Sequence, residues 1–166
     1  MALNLKSSEV KTKSKYFCSN NCWQLYFLSA LSVFIGGVIY LLLRPVKTIM
    51  FKHLNLAGIE SFTDNARETT LPLGNYLPEW FIYTLPNGLW AFGYTILILT
   101  LWKESPSKFK YFWYATIPVL IFGFELMQLS GTIRGTFGFD DILSGFIGIL
   151  AGILITKKYK YEKTEV

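Results

Sequence analysis

The sequence predicts an all-α integral membrane protein with four transmembrane helices, and three observations carry that expectation. Of its 166 residues 52% are hydrophobic, 17% are aromatic and only 16% are charged, where soluble domains carry about 25% charged residues. Mean hydropathy is +0.35. The apolar residues fall into runs of membrane-crossing length, and the lysines gather at the ends of those runs. A formal charge of +5 raises the question of nucleic acid. No basic–aromatic face interleaves along the chain, so that class is set aside. One domain is expected, residues 23–156, between basic tails at 1–22 and 157–166.

The first span is WQLYFLSALSVFIGGVIYLLL, residues 23–43, twenty-one residues without a charge. About 20 apolar residues cross a bilayer at 1.5 Å each. A secretory signal has a shorter apolar core and a small-residue cleavage site. Here LLLRPVK follows instead, so an uncleaved helix is expected. Cys18 and Cys22 precede it. Two cysteines and one distant histidine, His53, are too few for a closed zinc site, and no metal or cofactor is expected. The pair reads as small interfacial residues, with a disulfide disfavoured if that end faces a reducing cytoplasm.

Between 44 and 84 the chain reads as a region outside the spans. Val46, Ile49, Met50, His53, Leu54 and Ala57 recur at spacings of three and four, the pattern of an amphipathic helix lying on a leaflet. His53 belongs to that stripe as a packed residue. SFTDNARETT (61–70) reads as a solvated loop. LPEWFIYT (77–84) is apolar but short, bounded by Pro78 and Pro86, and fits an interfacial or re-entrant helix joined to the next span by a kink. The second span is predicted over 86–102, with Pro86 in the first turn, where its missing N–H costs nothing.

The third span is predicted over 111–128 and the fourth over 139–155. With a cytoplasmic amino terminus, Lys6, Lys11, Lys13, Lys15, Lys103, Lys108, Lys110, Lys157, Lys158, Lys160 and Lys163 all lie inside, eleven of sixteen basic residues. Arg44, Lys47, Lys52, Arg67 and Arg134 remain outside, among six acids. The positive-inside bias therefore places both termini in the cytoplasm. The lysine-rich tails serve as topology determinants that also touch anionic lipid.

The candidate functional residues cluster at the third helix's outer end, in FELMQLSGTIRGTFGFDD (124–141). Glu125 and Gln128 share a helix face. Arg134 sits in the turn, and Asp140 and Asp141 open the fourth helix, so all five groups are expected at one depth. Ionisable residues within membrane helices are costly and default to functional hypotheses. A helix-to-helix polar clasp meets the same constraint equally well. One aspartate is expected to cap the fourth helix, leaving the other to pair with Arg134. Further along, Gly145, Gly148 and Gly152 form a smooth stripe for close helix packing, with Gly36 and Gly37 of the first span as its expected facing groove.

Glu125-x-x-Gln128, Arg134, and Asp141-Ile-Leu with Gly148 seven residues beyond the aspartate together resemble the closing motif of the VanZ-like family. These are small bacterial membrane proteins. The resemblance covers about residues 85–155. The family's asparagine falls on Gly145 here, and the acid after its phenylalanine falls on Gly138. Upstream, Asn87 and Trp90 stand where members often carry an Asp-Lys pair and a histidine. The resemblance implies a bacterial cell-envelope protein of the cytoplasmic membrane linked to tolerance of glycopeptides or other surface-acting agents, with no settled reaction.

Four functions are therefore in play. The first is a non-catalytic module whose outward pocket binds an envelope lipid, a peptidoglycan precursor or a protein partner. In that reading Arg134 offers a bidentate anion contact. The second is an enzyme acting on an envelope lipid through Glu125 or Asp141, a reading weakened by the lack of a nucleophile–base pair or metal-ligand cluster. A small-solute or proton carrier, assembled as a homo-oligomer, and a purely structural clasp complete the set.

Overall fold

The structure is a computed structural model that describes residues 20–44, 76–103, 105–133 and 137–158, together with 67, 68, 70, 72 and 74. Its elements are α1 (Asn20–Leu43), α2 (Glu79–Tyr83), α3 (Leu85–Trp102), α4 (Lys110–Leu129) and α5 (Phe139–Lys158). No strand occurs among the described residues. Four helices are long and apolar enough to cross a membrane, with α2 and α3 counting as one segment, Glu79–Trp102. The chain is thus a multi-pass helical membrane protein. Short connections at 103–109 and 130–138 make α3, α4 and α5 alternate in direction.

Pro86 lies in the first turn of α3. The predicted joint is Thr84, whose helical backbone (φ −99°, ψ −42°) lets α2 run into α3. The predicted amphipathic stripe at 46–57, His53 included, and Arg134 lie outside the described residues.

Helix α3 is the centre of the bundle, packed mainly between α5 and α1, while α4 touches it much less. Its buried face is mostly small residues, Gly88, Ala91, Gly93 and Thr95 among them, with Ile96 and Ile98. Many large side chains of the surrounding helices face outward: Phe34, Phe124 and Leu154 are 68%, 57% and 67% exposed. That inversion suits a lipid solvent, where apolar side chains gain nothing by leaving the surface and close backbone approach supplies the attraction.

A Cβ on Gly148 would overlap the Gly88 carbonyl oxygen, and one on Gly152 would lie 2.9 Å from Thr95 Cβ. Gly145 instead faces α4, where a Cβ would lie 2.6 Å from Ile121 Cγ2. The expected groove from α1 is therefore corrected. Gly36 is occupied by the Trp90 indole, and Gly37 has nothing within 4 Å. Spacing identifies a smooth face, but α3 lies between α1 and α5, so α3 meets the stripe. Helix α1 runs antiparallel to α3, with Ser29 Oγ donating to Gly93 O at 2.7 Å.

Cys22 also departs from expectation. It is buried and disulfide-bonded, and the chain's one other cysteine is Cys18, which lies outside the described residues. Cysteine spacing before a helix allows either state.

Candidate functional site at one end of the bundle

The amino-terminal ends of α3 and α5 and the carboxy-terminal ends of α1 and α4 share one end of the bundle, and the polar cluster forms there. Glu125 and Ile117 are the only buried residues of α4, with Glu125 7% exposed. A carboxylate in that position requires a donor. Glu125 Oε2 accepts the Gly138 N–H at 3.3 Å. Gly138 immediately precedes α5, so its N–H is one of the four that a helix start leaves without an internal acceptor. Glu125 thereby caps the neighbouring helix from outside.

This arrangement corrects the expected aspartate cap. Asp140 and Asp141 both lie inside the first turn of α5, two and three positions past the cap position, which falls on Gly138. There they still favour the positive end of the helix dipole. A Cβ at 138 would approach Asp141 Oδ2 to 3.0 Å, so glycine leaves room for the carboxylate to fold back over the helix start. Asp141 is half-buried, and its Oδ1 is covered yet meets no hydrogen-bond donor among the described residues. Asp140 is exposed and Gln128 half-buried. Neither side chain hydrogen-bonds into the cluster among the described residues.

The cation that the structure brings to Glu125 is Arg44. It stands just beyond α1, close enough to Glu125 for charge–charge interaction, as Asp141 also is. Arg44 donates to Ile82 O at 3.4 Å and to Tyr83 O, the last carbonyls of α2. Its guanidinium lies 4.4 Å from the Tyr40 ring centre and 5.5 Å from that of Tyr83. Sequence reasoning counted Arg44 only as a flanking charge. The available signal was that it directly ends the longest uncharged run, which puts it at the depth of other span ends.

Arg67 corrects the solvated-loop expectation. It is 2% exposed and donates to Leu41 O and Arg44 O, each at 2.6 Å. Thr70 adds a bond to Leu42 O at 3.2 Å. Helix α1 has no basic residue in its last turn, so its orphan carbonyls are satisfied by residues from further along the chain. Arg67 thus holds the backbone that carries Arg44. Trp90, one of the two residues singled out upstream, donates its indole N–H to Val33 O at 3.2 Å and packs on Tyr40 with ring centres 5.3 Å apart. Asn87 is half-buried.

A cavity of about 220 Å³ lies against α1, lined by Val38, Ile39, Leu42, Leu43, Thr70 and Leu77. It is apolar and contains none of the cluster residues. No three His, Cys, Asp or Glu side chains gather in metal-binding geometry among the described residues. The cluster's chemistry is that of acceptance and charge: one carboxylate bound to a helix start, one with a covered oxygen that meets no donor among the described residues, and a guanidinium within charge range of Glu125. Comparison with protein-family models, curated proteins and solved structures finds no match.

Proposed function

We propose that this is a VanZ-like protein of the bacterial cytoplasmic membrane, a non-catalytic module whose polar cluster receives an envelope ligand. The observation that carries the reading is the covered Asp141 Oδ1, which meets no donor among the described residues. A buried acceptor left unpaired costs about 1–3 kcal/mol, and a ligand that donates a hydrogen bond there recovers it. The fitting class is a lipid headgroup or lipid-linked peptidoglycan precursor bearing amide, ammonium or hydroxyl donors beside an anionic group for Arg134. Glu125 then serves as the clasp and Asp141 as the ligand contact.

The orientation belongs to the same proposal. Both termini lie in the cytoplasm by the positive-inside bias, so the cluster opens outward.

The test is complementation of a deletion strain under glycopeptide or detergent stress. Asp141→Ala, which removes the acceptor, and Arg134→Ala are expected to accumulate normally yet fail to protect. Glu125→Gln keeps an acceptor for Gly138 and is expected to protect substantially better than either. Full protection by both Asp141→Ala and Arg134→Ala refutes the pocket. Loss of protein in all three variants, with protection tracking its amount, assigns the cluster to a clasp alone.

A further inference from the structure

The opposite end of the bundle carries a second set of residues that the cluster does not use. There α3 ends, α4 begins and α5 ends, joined by the short connection 103–109. Trp102 and Trp113 stack with ring centres 5.8 Å apart and planes at 19°. Phe109 meets them edge-on at 5.9 and 6.2 Å. These rings close a platform between the end of α3 and the first turn of α4. Aromatic rings that tie two span ends together mark headgroup depth in a bilayer.

Lysines surround this platform. Lys108 is exposed beside Phe109. Lys110 is already oriented, with its ammonium donating to Ser105 O at 3.2 Å and lying 5.6 Å from the Tyr111 ring centre. A lysine ammonium has three donors, and this side chain's described hydrogen bond uses one. Because it is held in place, less rotamer entropy remains to be lost when it binds. Lys157 and Lys158 are exposed at the neighbouring end of α5, and Lys103 Nζ donates to Thr156 O at 3.2 Å, which fixes that end against α3.

We propose that Lys108 and Lys110, over the Trp102–Phe109–Trp113 platform, form a binding site for the phosphate of an anionic phospholipid in the adjoining leaflet. A lysine is a compact point charge that suits a phosphate without demanding one orientation. Phe109, Tyr111 and Phe112 are all exposed, and Phe109 stacks on Phe112 at 5.2 Å. An aqueous polyanion offers those rings nothing, whereas the acyl–headgroup boundary takes both rings and charges. The connection is also too short to leave the membrane surface. The inference needs only that the helices span a membrane, so it stands or falls independently of the pocket at the other end.

The experiment uses the purified full chain in phosphatidylcholine nanodiscs, with lipid exchange into phosphatidylglycerol read by tryptophan fluorescence and by lipid retention in native mass spectrometry. Wild type is expected to retain phosphatidylglycerol over phosphatidylcholine. The double variant Lys108→Gln/Lys110→Gln is expected to lose about thirtyfold of that preference, at about 1 kcal/mol per lysine near an anionic surface. Lys108→Arg/Lys110→Arg should keep it. Inorganic phosphate at matched concentration should not compete. If the double variant proves unstable in phosphatidylcholine alone, Lys108→Gln, at an exposed position, is measured in its place and should lose about fivefold. Equal retention by wild type and the glutamine variant overturns the site. Full competition by inorganic phosphate overturns the lipid as its ligand.

Discussion

Replacing Gly148 by alanine tests the contact that joins α5 to α3. The added Cβ would overlap the Gly88 carbonyl oxygen and lie 3.1 Å from both Ala91 Cβ and the Phe92 nitrogen. Two of those three atoms are backbone, so no rotamer change relieves the overlap and one helix must shift. Overpacking of this kind costs about 1–3 kcal/mol. Alanine's higher helix propensity works the other way by about 1 kcal/mol in water. That gain shrinks here because membrane helices remain helical when they separate. The expected net loss is about 1–2 kcal/mol, or about 2–8 °C in Tm for a chain of this size. Gly123→Ala is the control, since a Cβ there meets nothing within 4 Å. Thermal unfolding of both variants in one detergent, followed by tryptophan fluorescence, provides the measurement. A Gly148→Ala protein as stable as wild type would refute the packing argument, because no soft neighbour exists to absorb the methyl group.

Arg67→Ala removes both donors from the Leu41 and Arg44 carbonyls and should destabilise the protein by about 2 kcal/mol or more. Arg67→Lys, a point donor in place of a fork, should fall between, as read by unfolding midpoints in the same detergent. The cysteines test orientation. In acid-quenched cells, a cytoplasmic amino terminus predicts that Cys18 and Cys22 both react with a maleimide without prior reduction, whereas the purified protein requires a reductant first. Protection of both thiols in the quenched cells would reverse the assigned orientation.

Where the argument rested on hydropathy, sequence and structure agree closely. Spans expected at 23–43, 86–102, 111–128 and 139–155 are helices at 20–43, 85–102, 110–129 and 139–158. Most of the extra residues at the ends are polar or charged ones, such as Asn20 and Lys158, that a hydropathy criterion trims and a helix hydrogen-bond pattern keeps. Glu125 and Asp141 were also legible, because charges within or at the mouth of an apolar run stand out against it.

The partners were not legible. Arg67 sits in a segment whose composition reads as solvated, yet it is buried, because the Leu41 and Arg44 carbonyls at the end of α1 offer acceptors that lipid cannot replace. Arg44 reads as a flank, yet it is the described guanidinium beside Glu125. The glycine stripe announces close packing, and only the placement of α3 between α1 and α5 decides against what. Span formation depends on each residue's own affinity for water or lipid, which composition records one position at a time. Pairing depends on where helix ends meet in three dimensions. Residues 44, 67, 125 and 138, distant in sequence, come together because α1 and α4 end where α3 and α5 begin.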